Sequence, residues 1–332
     1  MSRRILLILV LLTVLVAAAA IVWQLFVATP RVRAGAVIVE ILAHEGVTGI
    51  ARRLTDADAI RSPWAVVALA ALRGSARSLK AGEYEIPRGA TAVGVVKLLE
   101  SGRVRQHTVL HPEGATVAEL VRVLEAERLA TPSEVMRVAT DSAFLRGQGI
   151  EAESVEGYLF PDTYQFVRGM RPEEMLGRMI QRLRSRVTPA MLERAHARGV
   201  TLHQLLTLAS IIEREAVAPE ERPTISAVFW NRLKREMPLQ ADPTVQYAVG
   251  KERRALTRAD LQADHPFNTY RRAGLPPGPI ASPGLPAIEA ALDPPPVSYL
   301  YFVAIDERRH HFSTTIEEHA SAVARYRLTR GR

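Results

Sequence analysis

The chain has 332 residues, a formal charge of +8 and no cysteine, which excludes disulfides, thiolate metal sites, thiol nucleophiles and a lipidated N-terminal cysteine. Among 43 basic residues only Lys80, Lys97, Lys234 and Lys251 are lysine, and the basic residues are scattered. With no zinc-finger spacing and no aromatic RNA-binding signature, nucleic acid is not an expected partner, whereas anionic lipid headgroups or an anionic wall polymer would suit a basic exterior.

The first element is an apolar run over 5–27, whose only polar side chains are Thr13 and Gln24. At about 1.5 Å per helical residue it is long enough for a hydrocarbon core of about 30 Å. Arg3 and Arg4 precede it and favour an inside N-terminus; Arg31 and Arg33 weaken that preference. The expected layout is a cytoplasmic tip at 1–4, a single-pass anchor at 5–27 and a body on the outer, periplasmic face of the cytoplasmic membrane. A cleaved signal peptide and a buried core helix are the competing readings. Small residues at 17–20 would suit a peptidase, but the run exceeds the about 7–15 residues of a signal core.

Next comes a β-branched strand at 37–41, then a helix over 48–54 capped near Thr48, with Ile50 and Leu54 inward. A helix follows over 64–72, a strand over 80–87 and a helix over 93–99. These make a small α+β unit at 36–105. A strand at 106–110 leads into a helix over 117–129, and Thr131-Pro132-Ser133-Glu134 opens another. This connecting segment, 106–153, could join either neighbour. No fixed-period repeat suggests a solenoid.

The character changes near 154, where the main domain, 154–329, is expected to begin. Helices are expected over 172–186, 189–198 and 202–215. The proline-rich run 275–284 cannot be regular structure. A strand over 299–305 and a helix over 316–328 close the chain. The fold class is α+β: one N-terminal transmembrane helix, a small α+β domain and a larger one.

The helix over 202–215 carries Glu213 and Glu215 near its C-terminal end. Leu205, Leu208, Ile211 and Ile212 set its apolar arc; Glu215 falls inside the arc and Glu213 at its margin. A carboxyl held against apolar neighbours loses hydration when charged, so its pKa rises. The partial negative charge at a helix C-terminus pushes the same way. Such a glutamate donates a proton near neutral pH, as protonation of a leaving-group oxygen requires. The plainer reading is a helix-ending glutamate paired with Arg214 or Arg222.

Polar clusters flank this helix. Glu156, Tyr158 and Tyr164 lie in Glu156-Gly157-Tyr158-Leu159-Phe160-Pro161-Asp162-Thr163-Tyr164. Asn231 precedes Arg232-Leu233. Gln240, Asp242 and Thr244 lie in Leu239-Gln240-Ala241-Asp242-Pro243-Thr244, and Asn268 and Tyr270 in Asn268-Thr269-Tyr270. Amides, hydroxyls and aromatic faces are what sugar recognition uses, although singly each could be a turn or a cap. Phosphate loops, a GxSxG elbow and HExxH spacing are lacking in the sequence, so neither a metal nor a cofactor is expected.

These motifs in order, with Ala209-Ser-Ile-Ile-Glu-Arg-Glu215, Gly274-Leu-Pro-Pro-Gly-Pro-Ile280 and Tyr299-Leu-Tyr-Phe-Val303, resemble the endolytic murein transglycosylase family (MltG- or YceG-like) over nearly the whole chain. Phe267 stands where the family often has tyrosine. The resemblance implies that the unit at 36–105 is LysM-like. It also implies cleavage of the MurNAc-β-1,4-GlcNAc bond of nascent peptidoglycan strands, leaving 1,6-anhydro-MurNAc ends. The second glutamate of the Glu-x-Glu pair, Glu215, would be the acid; Asn231, Gln240, Asn268 and Tyr270 are, from their own chemistry, the candidates to orient substrate. A peptidoglycan synthase complex is a candidate partner. A muramidase hydrolysing the same bond and a glycan-binding scaffold without chemistry are the alternatives.

Overall fold

The computed structural model describes residues 3–26, 35–251 and 253–330. In chain order the elements are α1 (Arg3–Phe26), β1 (Ala36–Ile41), α2 (Val47–Asp56), α3 (Pro63–Leu72), β2 (Gly82–Pro87), α4 (Ala92–Ser101), β3 (Gln106–His111), α5 (Val117–Ala126), α6 (Pro132–Ala139) and α7 (Ser142–Gly147). They continue as β4 (Asp162–Val167), α8 (Pro172–Arg186), α9 (Pro189–Ala197), α10 (Leu202–Glu215), α11 (Arg222–Lys234), α12 (Asp242–Ala248), α13 (Arg258–Leu261), α14 (Leu285–Leu292), β5 (Tyr301–Ala304), β6 (His310–Ser313) and α15 (Ile316–Arg330). The sheets are three pairs, β1-β2, β3-β4 and β5-β6, so the fold is α+β with small sheets.

Two compact units emerge. One comprises residues 1–107 and 165–169, the other residues 108–164 and 170–332. In the first, β1 and β2 are antiparallel, with Val39 opposite Tyr84 and Ile41 opposite Gly82. Their alternating inward side chains join Ile50, Leu54, Val66, Val96 and Leu99 from the helices in one core. The Tyr84 hydroxyl donates to the Lys80 carbonyl at 2.7 Å, which satisfies the only polar atom of that buried ring. Glu83 is also buried here, hydrogen-bonded to His107 at 2.7 Å and paired with Arg168 at 3.2 Å.

Helix α1 has its described side chains exposed, from Ile5 through Trp23. Among the described residues no helix is long and apolar enough to cross a membrane. The structure thus lends no support to an anchor over 5–27. Residues 1 and 2 of the expected tip and residue 27 lie outside the described residues.

The second unit is built around α10. Thr201 and Gln204 close a capping box at its start. Every residue of 205–212 is buried, on all sides of the helix. It packs against α14, α11, α12 and α9. The expected one-sided arc is therefore corrected: this is an internal helix, and its girth is covered by neighbours from far along the chain. The proline-rich segment after 274 is irregular, as expected, yet its backbone is satisfied. Ile280 N–H donates to Ser210 Oγ at 3.0 Å, and Ser282 exchanges backbone hydrogen bonds with Gly114 and Ala115, both 2.8 Å.

Some boundaries differ from the sequence pattern. Helix α2 is capped at Gly46 rather than Thr48. Helix α5 stops at Ala126, because Arg128 turns left-handed at φ 54°. Helices α11, α12 and α14 and strand β4 take up stretches that read as polar clusters or turns.

Candidate active site

Helix α10 ends in Glu213-Arg214-Glu215, where the burial of its middle gives way to half-exposed positions. The two glutamates differ in what they touch. Glu213 pairs with Arg222 at 2.9 Å and accepts the Gly284 N–H at 3.1 Å. Its side chain is only 5 % exposed, so it sits deeper than the margin expected of it. Arg222 also lies 3.7 Å from Glu113, whose carboxyl is pushed up by burial and then by the charge of Glu213. Through these two contacts Glu213 locks α10 to Arg222 and to the 282–284 turn.

Glu215 faces another carboxylate instead of a close cation. Its pKa is pushed up to about 8, first by desolvation and then by the charge of Asp242; Arg214, the Asp242 N–H and Arg232 only partly oppose this. The residue is half-buried by surface area although its carboxyl is heavily desolvated. Dense protein surrounds the carboxyl, while the residue as a whole is half-exposed at the end of α10.

Asp242 opens α12 and is exposed, and its Oδ1 accepts the Tyr270 hydroxyl at 2.6 Å. Burial, then this bond, holds the Tyr270 phenol well above its ordinary range, so it remains a donor. Gln240, exposed with φ 51°, is held by its N–H to the Thr269 carbonyl at 3.1 Å. A non-glycine residue in this left-handed region is strained, and such strain recurs at functional sites.

Arg232 ties these pieces together, and the sequence reading passed over it as a site residue. It is 7 % exposed and donates to the carbonyls of Leu300, Pro238 and Leu239 at 2.6, 3.2 and 2.8 Å, and to Gln240 Oε1 at 3.3 Å. Its guanidinium lies over the Tyr301 ring at 5.2 Å. Desolvation lowers its pKa, with Tyr301, Tyr270 and Glu215 opposing. The available signal was an arginine one turn beyond Val228 and Phe229 on a helix that otherwise turns them to the core.

The remaining candidates do structural work nearby or elsewhere. Asn231 donates both amide hydrogens to the Val297 and Tyr299 carbonyls, at 2.8 and 2.9 Å. Thr244 is buried, donating to the Ala241 carbonyl at 2.7 Å and meeting Thr269 Oγ1 at 2.8 Å. Asn268, also buried, donates to the Leu261 and Ala263 carbonyls and accepts the Tyr270 N–H at 3.0 Å. It sets the turn that presents Tyr270. Glu156 accepts the Val117 N–H at 3.2 Å, capping α5. It borders a cleft of about 640 Å³ with His203, Tyr247 and Phe267. The Tyr158 hydroxyl meets His203 Nδ1 at 2.9 Å, and burial pushes its phenol up to about 12. Tyr164 donates to the Phe160 carbonyl at 2.6 Å. Asp162 is held below the usual range by the Thr163 N–H and Arg182.

The family model of the YceG-like family matches residues 39–325. The chain belongs to the YceG-like family. The YceG-like chain is 35% identical to a protein named endolytic murein transglycosylase from Bacillus subtilis, over 87% of its own length and 84% of that protein. It is 29% identical to one of the same name from Streptococcus pneumoniae, covering 75% of this chain and about half, 51%, of that longer protein. The crystal structure of a yceG-like protein from Listeria monocytogenes superposes with a TM-score of 0.61 at 31% identity, over 86% of this chain and 98% of that one. Its likeness to these enzymes over most of its length makes the YceG-like chain an enzyme.

Proposed function

We propose that the chain is a membrane-anchored endolytic lytic transglycosylase that cuts the MurNAc-β-1,4-GlcNAc bond of nascent peptidoglycan and leaves 1,6-anhydro-MurNAc ends. The anchor is the apolar run at 5–27, the LysM-like unit is residues 36–105, and the catalytic unit faces the outside. The single observation that carries the reaction is Glu215, a desolvated carboxyl at the end of α10 whose pKa is pushed up to about 8. Glu215 gives that proton to the glycosidic oxygen as the C1–O4 bond breaks. The resulting carboxylate takes the proton of the muramic acid C6 hydroxyl as its oxygen bonds to C1. Atoms balance without water, and one group serves as acid and then base.

Asp242 lies on the exposed side, near enough to stabilise positive charge growing on the sugar. Tyr270 holds its orientation, and exposed Gln240 is placed to meet substrate hydroxyls. A second reading has its own observation: an exposed carboxylate beside the acid could equally activate a water, which would make the enzyme a muramidase. Mass analysis of new chain ends from purified sacculi decides between them. Anhydro ends are expected; ends heavier by one water would establish hydrolysis. Glu215→Gln is expected to lower the cutting rate at least about 1000-fold while the protein stays folded. Full activity in that variant would refute the assignment.

A further inference from the structure

One helix in the first unit is apolar on both sides. Helix α3, sequence PWAVVALAAL, turns Ala65, Val66 and Ala70 into the core. Its opposite face carries Trp64, 75% exposed, and Leu72, 82% exposed, with Ala68 and Ala71 between them. At 100° per residue these four fall within an arc of about 100°. A solvent-facing helix normally places charges there; this stripe has none. Acidic residues flank the segment 59–82, exposed Asp56 and Asp58 before it and buried Glu83 after it, but within it the charges are of one sign. From 59 to 82 the sequence holds Arg61, Arg73, Arg77 and Lys80 and no acidic residue, and all four are exposed. Arg73 forms a two-point pair with Glu100 at 2.8 Å, so Arg61, Arg77 and Lys80 carry the excess charge.

We propose that α3 is a membrane-docking face: Trp64 and Leu72 enter the interfacial layer of an anionic bilayer, and Arg61, Arg77 and Lys80 meet its headgroups. Tryptophan prefers that layer because its ring is apolar and its N–H stays hydrated. Each basic residue near an anionic surface adds attraction that salt screens. The inference rests on the anchored reading above. Only residues 27–35 separate α1 from β1, a tether of at most about 30 Å, so an anchored chain keeps this unit beside the bilayer. Competing occupants fit less well. A sugar stacked on Trp64 would need hydroxyl or amide partners, and the stripe offers only alanine and leucine. A second copy would bring like charges together.

The chain has no cysteine, so a single nitroxide can be placed by L72C on the full chain, with E125C on exposed α5 as the control. In phosphatidylglycerol-containing vesicles, the label at 72 is expected to be at least about threefold more accessible to oxygen than to a nickel chelate, relative to the label at 125. Pure phosphatidylcholine, or the pair R61S and R77S, should reduce that ratio, by up to about fivefold per arginine. Flotation with the vesicles reports the anchor separately. A chain that floats while both labels give the same ratio overturns the docking face and leaves the anchor standing. A chain that does not float overturns both. Immobilisation of the label by glycan strands instead of vesicles, or by raised protein concentration, also overturns the proposal. Unlabelled chain supplies a second readout: brominated lipids should quench wild type more than W64F.

Discussion

Glu215 owes its proton first to burial and then to the charge of Asp242 beside it. This fixes the sign of two pH effects. Above pH 8 Glu215 loses the proton it must donate, so the cutting rate should fall on that limb. Asp242→Asn removes a charge that raises the acid's pKa, and the limb is expected to move down by about one pH unit. Rate profiles for the two proteins check this; an unchanged limb with a lower rate would make Asp242 merely structural. Stability follows the same logic. Between pH 4.5, the ordinary carboxyl value, and about 8, the unfolded chain ionises this group while the folded chain does not. The unfolded state then binds fewer protons, and stability falls as pH rises through that window. Glu215→Gln does not titrate, so its unfolding free energy should gain on wild type from pH 4.5 to 8, by about 1–3 kcal/mol after screening, and then level off, as denaturant melts at each pH would show.

Among the elements, α10 and α11 hold the site through buried polar groups whose partners are distant in sequence. Arg232 joins α11 to the strand entry at Leu300 and to the Pro238–Gln240 turn. Arg232→Met leaves these carbonyls unpaired and should cost about 3–5 kcal/mol, read by denaturant melts. His111, at the end of β3, is buried against Ser282 at 2.8 Å, and desolvation lowers its pKa to about 4. Between pH 6.5 and 4 only the unfolded state gains that proton, so stability drops as pH falls. His111→Asn should lose less melting temperature over this window than wild type. Gly157 has φ 79°, and a Cβ there would lie 2.2 Å from Pro279. Gly157→Ala should therefore cost about 2–4 kcal/mol.

At the scale of the molecule there are two cores, one under β1-β2 and one around α10. Leu54→Ala, fully buried in the first, is expected to cost about 2–5 kcal/mol and to lower one of two calorimetric transitions, leaving the pH limb of cutting unchanged. Much of this layout was legible in the chain itself. Helices 172–186 and 202–215 matched because local caps and apolar spacing agree with the tertiary environment. The family was legible because its motifs are contiguous. Helices α11, α12 and α14 were not, since apolar residues surround them too evenly for a period to stand out. What the sequence determined by itself is the α+β class, the family and the acidic pair; those are properties of neighbours along the chain. Which glutamate keeps its proton, and that Asn231, Thr244 and Asn268 face backbone carbonyls, was decided only in three dimensions. Desolvation and charge depend on atoms brought together from 113, 222, 242 and 284, and no helical arc encodes those distances.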